Sequence, residues 1–206
     1  MVEYIVALQR RKTMNNKTHK IVVFASGSGS NAERIIQHFA TEPHVEVTRI
    51  YTNNPEAYVI ERAQKHHIGT KIFDRTYFLS PNGLLEELQR ESPDLIVLAG
   101  FLWKIPQTIV EAFPNKIVNI HPALLPKFGG KGMYGIHVHR AVIESSAAVS
   151  GITIHYVNEN YDEGAIIKQA NVSIVPSDTP ESLAQKIHKL EHEHYPTTIE
   201  KLLISN

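Results

Sequence analysis

Apolar and polar residues alternate along the chain in blocks that predict strands and helices in turn. Two short apolar runs, Ile21 to Ala25 and Leu95 to Ala99, are typical of strands that are buried on both faces of a sheet. The pattern further predicts helices over residues 30–40, 55–66, 84–89 and 109–113, and strands over residues 45–51, 70–73 and 116–120. Strands that are separated by helices imply right-handed crossovers and a parallel sheet.

The pattern changes in the second half of the chain. Residues 122–135 contain four glycines and two prolines, too many for a helix or strand, and predict a long loop of the kind that is usually functional. We interpret the alternating histidines His137 and His139 as loop residues. Strands are predicted at residues 150–157 and 165–175 with no helix between them, and a closing helix at residues 179–201. We therefore expect one α/β domain with a doubly wound, mostly parallel sheet, late antiparallel strands and a C-terminal helix.

Charge and composition exclude several classes of protein. Lysine plus arginine total 21 and aspartate plus glutamate total 21, so the chain lacks the positive surplus that a nucleic-acid binder or a polybasic membrane patch needs. The absence of cysteine excludes disulfides, thiol nucleophiles and cysteine-bound zinc. The longest nearly apolar run, Leu95 to Trp103, is about half the length of a membrane-spanning helix. We expect a cytoplasmic protein with a disordered extension at residues 1–19 and a folded domain at residues 20–206.

A glycine-serine segment, Ser26 to Asn31, follows the first predicted strand and is the first candidate site. Ser30 and Glu33 have the spacing of a capping box, which predicts that a helix starts at Ser30. The free N–H groups of such a helix start suit a phosphate. The segment also approximates a dinucleotide fingerprint, but the second strand ends without the carboxylate that would bind a ribose, so a monophosphate fits better than NAD. A tight turn without a ligand is the alternative.

Polar residues near the ends of later strands form the second candidate site. Asn119 and His121 are two residues apart on the fifth predicted strand, so their side chains point to the same face. An amide donor beside an imidazolium can stabilise an oxyanion and transfer a proton. Asp162, in a polar turn after the next strand, is expected to raise the pKa of His121 if the two side chains meet. A buried structural histidine and an ordinary Asp-x-Gly turn are the alternatives.

The last predicted helix contains a third candidate, the segment His188 to His192, which matches a zinc-enzyme pattern. Two histidines four residues apart share one helix face and can bind zinc, with Glu191 between them as a base. The neighbouring His194 and several glutamates favour a partly solvated helix face instead. A zinc hydrolase therefore stays a rival hypothesis.

Together and in this order, these segments resemble one enzyme family. The chain contains Ser26 to Asn31, Leu98-Ala99-Gly100-Phe101, NIHPALLPK at residues 119–127, His155 with Asp162-x-Gly164, and Glu191-His192-x-x-Tyr195-Pro196. They closely resemble the motifs of the folate-dependent phosphoribosylglycinamide formyltransferases, over about residues 20–203. The resemblance implies a Rossmann-like formyltransferase fold. It also implies transfer of the formyl group of 10-formyltetrahydrofolate to the amine of N1-(5-phospho-D-ribosyl)glycinamide in de novo purine biosynthesis, with no metal required.

The resemblance also implies roles for single residues. Asn119, His121 and Asp162 match the catalytic residues of the family. The residues that match its ribonucleotide site are Gly29, Ser30 and Asn31 at the phosphate, Pro122, Ala123 and Lys127 on the adjoining loop, and Glu191 at the glycinamide end. Those that match its folate pocket are Leu102, Trp103, Lys104, Ile105, Asn119, Val157 and Asn158. Arg75 is a weak match to an arginine that some members have after the third strand.

Other functions remain open at this point. Within the same chemistry, the acceptor of the formyl group can be methionyl-tRNA, an amino sugar or water. Outside it, the chain can be a nucleotide-phosphate-binding module without catalysis. For the main hypothesis we expect glycinamide ribonucleotide and the folate as ligands, no nucleic acid or membrane partner, and a monomer or homodimer.

Overall fold

The computed structural model describes residues 18–204, which form a seven-stranded sheet. The strands are β1 (His19–Phe24), β2 (Val45–Thr52), β3 (Gly69–Ile72), β4 (Leu95–Leu98), β5 (Ile117–His121), β6 (Val149–Tyr156) and β7 (Ile166–Ser173). Their order across the sheet is β3-β2-β1-β4-β5-β6-β7. The first five strands are parallel, whereas β6 is antiparallel to both β5 and β7. The predicted doubly wound, mostly parallel sheet with late antiparallel strands is confirmed.

Helices cover both faces of the sheet. They are α1 (Ser30–Phe39), α2 (Val59–Lys65), α3 (Arg75–Leu79), α4 (Glu86–Glu91), α5 (Gln107–Ala112), α6 (Ile136–Glu144) and α7 (Pro180–Ile204). A kinked turn at Pro81–Leu85 leads into α4, because Gly83 has φ −108° and ψ −117°, outside the helical range. The C-terminal helix is present as predicted. None of the helices within residues 18–204 is both long and apolar enough to cross a membrane.

Alternate residues of β1 explain why its sequence is continuously apolar. Ile21 and Val23 pack on the face that is covered by α1, α2, α6 and α7, whereas Val22 and Phe24 pack on the face that is covered by α3, α4 and α5. All four side chains are at most 1% exposed. Burying an aliphatic or aromatic side chain of this size contributes about 1.5–3 kcal/mol. The strand is therefore stabilised from both sides, as its pattern predicts.

The prediction that His137 and His139 belong to a loop is wrong, because both lie on α6. Val138 and Val142 are four residues apart and fully buried, so a helix places them on one inward face. The β-branched residues of this segment and the preceding glycine-rich stretch obscure the helical period in the sequence. The predicted loop at residues 122–135 does lack helix and strand.

Other boundaries differ from the prediction in smaller ways. Helix α2 begins at Val59 rather than at residue 55, because the side chain of Asn54 accepts a hydrogen bond from the Glu56 N–H and forms a turn there. Helix α3 was not predicted. Strand β1 begins at His19, inside the expected disordered extension, and residues 1–17 of that extension lie outside the described residues.

The order of the strands positions a ligand site. Chain connections run in opposite directions from β1 and β4, and such a point of reversal opens a crevice at the carboxyl ends of the two strands. The glycine-serine segment follows β1 and Phe101 follows β4, so both border this crevice. The end of β5 lies beside β4 at the same edge.

Candidate active site

The glycine-serine loop (Ser26–Asn31) joins β1 to α1 and lines a cavity. Gly29 has φ +72°, and a Cβ there would lie 2.4 Å from Cγ2 of Val59, so the position requires glycine. Ser30 is the first residue of α1, as predicted. The first N–H groups of a helix have no helical partner and meet the positive end of the helix dipole, so this loop suits an anion.

The predicted capping box at this helix start is wrong. Gly29 occupies the cap position, no side chain caps α1, and the carboxylate of Glu33 pairs with Arg62 of α2 instead. Nε of Arg62 also donates a hydrogen bond to the Ser28 carbonyl at 2.9 Å. Helix α2 therefore stabilises the glycine-serine loop through an ion pair with Glu33 and a hydrogen bond to the Ser28 backbone.

The Ser26 hydroxyl joins three loops at the crevice. It donates a hydrogen bond to Oδ1 of Asn53 at 2.7 Å and accepts one from the Leu102 N–H at 2.9 Å. The Ser26 N–H donates to the Gly100 carbonyl at 3.0 Å. The segments after β1, β2 and β4 are thus connected, and an amide lies where a dinucleotide site needs a carboxylate.

Asn119, His121, His155 and Asp162 line the same cavity and form a side-chain cluster. Asn119 and His121 come from β5, His155 from the antiparallel β6, and Asp162 from the turn that follows β6. Oδ2 of Asp162 lies 3.6 Å from Nδ1 of His121, and Oδ1 lies 3.7 Å from Nε2 of His155. The structure therefore brings together the imidazole and the acid that the sequence places 41 positions apart.

Backbone groups of the loop at residues 128–130 fix this geometry. Nε2 of His121 donates a hydrogen bond to the Phe128 carbonyl at 2.7 Å, so Nδ1 is the nitrogen that faces Asp162. The Gly130 N–H donates to Oδ2 of Asp162 at 2.9 Å. Asp162 has φ +57°, a left-handed conformation that Asp adopts more readily than most residues.

Asp162 raises the pKa of His121, as expected, but the expectation of a net rise is wrong. Burial of the ring, which is 3% exposed, lowers the pKa of His121 by more than Asp162 and the Phe128 carbonyl raise it. His121 is therefore mostly neutral near pH 7, and its Nδ1 is an acceptor. A free Nδ1 beside a carboxylate can take a proton and then form a stabilised imidazolium.

His155 belongs to the cluster, although the sequence indicates it only as part of a motif and not as a site residue. The pairing of β5 with β6 places His155 opposite Asn119, and Nδ2 of Asn119 lies 3.2 Å from Nε2 of His155. The register of the two strands, which the sequence does not specify, decides this contact. His139 and His188 also line the cavity.

The cavity has a volume of about 680 Å³ and includes most of the predicted site residues. Those that line it are Gly29, Ser30, Asn31, Leu102, Trp103, Lys104, Ile105, Asn119, His121, Pro122, Val157, Asn158, Asp162 and Glu191. Ala123 and Lys127 are not among the lining residues. Ala123 is fully buried and its carbonyl accepts a hydrogen bond from Thr153, whereas Lys127 is exposed. Their ligand contacts stay predictions.

Helix α7 contributes Glu191 to the cavity. Nδ2 of Asn31 donates a hydrogen bond to Oε2 of Glu191 at 2.9 Å, which connects α7 to the glycine-serine loop. Burial raises the pKa of Glu191 by more than Asn31 and His188 lower it. The rings of His188 and His192 are stacked with centroids 6.1 Å apart. Within residues 18–204, no three His, Asp or Glu side chains converge as a metal site requires.

An apolar wall, formed by Leu102–Ile105 and Val157–Asn158, is part of the lining of the cavity. The Trp103 ring packs against Phe78 with centroids 5.3 Å apart, and the Arg75 guanidinium lies 5.4 Å from the Trp103 centroid. Nζ of Lys104 lies 5.6 Å from the ring centroid of Tyr161. Aromatic surface with cations beside it suits a flat, polar ring system.

Comparison with known proteins agrees with this geometry. A family model described as formyl transferase matches residues 19–199. The chain is 43% identical over 182 residues to the chloroplastic phosphoribosylglycinamide formyltransferase of Arabidopsis thaliana, covering 85% of this chain and 62% of that protein. It is 39% identical over 189 residues to the phosphoribosylglycinamide formyltransferase of Bacillus subtilis, covering 89% of this chain and 94% of that protein. The chain thus spans less than two thirds of the plant relative.

A solved structure has the same fold. The crystal structure of glycinamide ribonucleotide transformylase 1 from Symbiobacterium toebii superposes with a TM-score of 0.83 at 33% identity. The match covers 92% of this chain and 89% of that one. The Rossmann-like formyltransferase fold that the sequence resemblance implies is therefore confirmed.

Proposed function

The chain belongs to the formyl transferase family, and we propose that it transfers the formyl group of 10-formyltetrahydrofolate to the amine of N1-(5-phospho-D-ribosyl)glycinamide. The products are the formylglycinamide ribonucleotide and tetrahydrofolate, in de novo purine biosynthesis. The names of the plant and Bacillus relatives support this choice of acceptor. Family membership supports a folate-type formyl donor. We expect the reaction to take place in the cytoplasm.

The ribonucleotide binds between the glycine-serine loop and α7 in this proposal. The N–H groups of Gly29, Ser30 and Asn31 receive the 5′-phosphate, because they begin α1 and line the cavity. The buried Glu191 receives the glycinamide end of the substrate. Its bond to Asn31 keeps the phosphate and glycinamide subsites at a fixed separation.

The folate binds at the apolar wall formed by Leu102–Ile105 and Val157–Asn158. Both segments line the same cavity as the glycine-serine loop, so donor and acceptor can approach each other directly. Bringing two reactants together in one orientation is itself a large part of catalysis in such a transfer.

The transfer begins when the substrate amine attacks the formyl carbon. A carbon–nitrogen bond forms, and the carbonyl oxygen becomes negative in a tetrahedral intermediate. Nδ2 of Asn119 donates a hydrogen bond to this oxygen. Donors that are already oriented toward a developing oxyanion typically contribute about 2.7–4 kcal/mol each to lowering the barrier.

His121 moves the proton. Its neutral Nδ1 accepts a proton from the attacking nitrogen, and Asp162 stabilises the imidazolium at 3.6 Å. The imidazolium gives the proton to the departing folate nitrogen as the old carbon–nitrogen bond breaks. Protons balance, because the one that the amine loses is the one that the folate gains.

One observation carries this proposal: a single cavity is lined by both an anion-binding helix start and the His121–Asp162 pair. A phosphate-binding module without catalysis would need the loop alone. Such a module would not require the two imidazoles and the carboxylate that are packed together in the side-chain cluster.

The test measures tetrahydrofolate release from 10-formyltetrahydrofolate by the purified chain with and without the ribonucleotide. We expect turnover that requires both substrates, and no turnover at micromolar protein would refute the assignment. Formate release without the ribonucleotide would identify a hydrolase instead. Formylation of methionyl-tRNA or of an amino sugar in place of the ribonucleotide would identify another acceptor.

A further inference from the structure

The amide of Asn119 has two ends of nearly equal size and opposite hydrogen-bonding character. Only the N–H end can stabilise an oxyanion, whereas the carbonyl end would repel it. The proposed reaction therefore needs the amide of Asn119 in one of its two orientations. Something next to Asn119 has to select that orientation before the substrates react.

The tautomer of the neighbouring His155 follows from its backbone contact. Nδ1 of His155 lies 2.8 Å from the Tyr156 carbonyl oxygen, which can only accept, so Nδ1 bears the ring proton. Burial lowers the pKa of His155 by more than the Tyr156 carbonyl and Asp162 raise it, so the ring is neutral near pH 7. Its Nε2 is therefore a lone-pair acceptor.

This acceptor faces Asn119 across the pair of strands β5 and β6. We propose that His155 is a positioning residue, whose unprotonated Nε2 accepts a hydrogen bond from Nδ2 of Asn119 at 3.2 Å and thereby directs the second N–H of that amide to the reacting oxygen. The flipped amide would set its carbonyl oxygen against the lone pair of Nε2. The catalytic meaning of this contact rests on the proposed function.

The same tautomer also leaves Asp162 available to His121. Oδ1 of Asp162 lies 3.7 Å from Nε2 of His155, while Oδ2 lies 3.6 Å from Nδ1 of His121. A protonated Nε2 would donate to Asp162 and compete with His121 for the carboxylate. Because its Nε2 is unprotonated, His155 orients the Asn119 amide and does not compete with His121 for the Asp162 carboxylate.

The Tyr156 carbonyl that sets this tautomer is closely packed. The Tyr156 N–H donates to the Ala165 carbonyl at 2.9 Å, and a Cβ on Gly164 would lie 1.7 Å from the Tyr156 carbonyl oxygen. The glycine of the Asp162-x-Gly164 turn therefore lets the chain pass directly over this carbonyl. One turn thus supplies Asp162 and fixes the backbone acceptor of His155.

The first test is spectroscopic and needs no substrate. Nitrogen-15 NMR of the histidine-labelled full chain at pH 7, with the His155 signals assigned by their loss in a His155→Asn variant or through the protein's backbone assignments, reports which ring nitrogen bears the proton. We expect a protonated Nδ1 and an unprotonated Nε2 on His155. A proton on Nε2 would overturn the proposal whether or not the enzyme turns over.

The second test uses two matched variants of His155. Asparagine places an amide near the position of Nδ1 and retains a donor to Tyr156, but leaves Asn119 without an acceptor. Glutamine reaches the position of Nε2 and offers an oxygen to Asn119. We expect His155→Asn to lower kcat by about 10-fold to 100-fold with little change in either KM, and His155→Gln to recover most of the loss. Equal losses, or a change confined to KM, would contradict the proposal.

A double-mutant cycle separates this role from a general loss of packing. In an Asn119→Ala background, His155→Asn should lower kcat by less than about threefold further, because the residue acts through Asn119. A further tenfold loss would contradict that route. Inactive wild-type protein would count against the proposed function, whereas active wild type with an unaffected His155→Asn variant counts against His155 alone. If His155→Asn does not fold, the tautomer measurement decides.

Discussion

The glycine-serine loop and the side-chain cluster are two parts of the lining of one cavity, and they use different parts of the chain. The loop presents backbone N–H groups of consecutive residues, whose donor character does not change with pH. The cluster presents side chains from β5, β6 and the following turn, and burial keeps its two histidines, His121 and His155, neutral near pH 7. A fixed donor array is suited to holding a phosphate, whereas titratable groups near neutrality are suited to moving a proton. Substitutions in the glycine-serine loop and in the side-chain cluster should therefore impair different properties of the protein.

Asp162→Asn should produce the largest effect. The amide cannot stabilise the His121 imidazolium, so kcat should fall by about 10²–10⁴-fold while the fold and ribonucleotide binding persist. Steady-state kinetics and ribonucleotide titration by calorimetry measure the two quantities. Glu163→Gln is the matched control, because this exposed neighbour in the same turn should retain wild-type kcat. Activity of Asp162→Asn within about threefold of wild type would remove Asp162 from the mechanism.

The difference between backbone groups in the loop and side chains in the cluster also explains how much of the site can be predicted from the sequence. The glycine-serine loop is six consecutive residues after a strongly apolar strand, and the rule for parallel sheets places it at the crevice. The capping box fails because the partner of Glu33 is Arg62 on another helix. Local spacing identifies the loop correctly, but it does not identify which side chains meet there.

The side-chain cluster is less predictable because it depends on long-range packing. Strand periodicity puts Asn119 and His121 on one face, but the position of Asp162 in a polar turn leaves open whether it meets them, and the family resemblance is what assigns it to the same site. The sign of the His121 pKa shift depends on how deeply the ring is buried, and the contact of His155 depends on strand register. Neither quantity can be obtained from residue spacing.

The buried imidazole of His139, which lies on α6 and lines the same cavity, should also make the stability of the fold sensitive to acid. Burial lowers the pKa of His139 to about 4, with His188 and His121 adding to the shift. Below about pH 6.5 His139 is protonated in the unfolded chain but stays neutral in the folded protein. The free energy of unfolding should therefore fall as the pH drops from about 6.5 to 4. At 1.36 kcal/mol per pKa unit, His139 alone accounts for up to about 3 kcal/mol.

Urea unfolding at several pH values measures this loss of unfolding free energy. The difference in unfolding free energy between wild type and His139→Gln should change with pH in this range, with the variant losing less stability than wild type on acidification. The comparison cancels the contribution of carboxylates, which both proteins share. Parallel pH profiles for the two proteins would show that His139 is not the source of the acid sensitivity.

On the loop side, Gly29→Ala should act through geometry and not through charge. The left-handed φ of +72° costs a residue with a Cβ about 1–2 kcal/mol, and the Cβ would lie 2.4 Å from Cγ2 of Val59. The loop has to shift, so KM for the ribonucleotide should rise about tenfold, with a smaller change in kcat. Gly27→Ala is the matched control, since no heavy atom lies within 4 Å of its added Cβ. Equal kinetics for the two variants would mean that the shape of the loop does not matter for binding.

The smallest effect should come from Ser30→Ala, measured as unfolding free energy without ligand. A capping serine typically contributes about 0.5–2 kcal/mol, but Ser30 is already inside α1 and no side chain caps this helix. We therefore expect a change within about 0.5 kcal/mol. Asp74→Ala is the contrasting variant, because the Asp74 side chain accepts a hydrogen bond from the Tyr77 N–H at 2.8 Å and caps α3, so it should lose about 1 kcal/mol. A larger loss for Ser30→Ala than for Asp74→Ala would mean that the hydroxyl, and not the backbone alone, stabilises the start of α1.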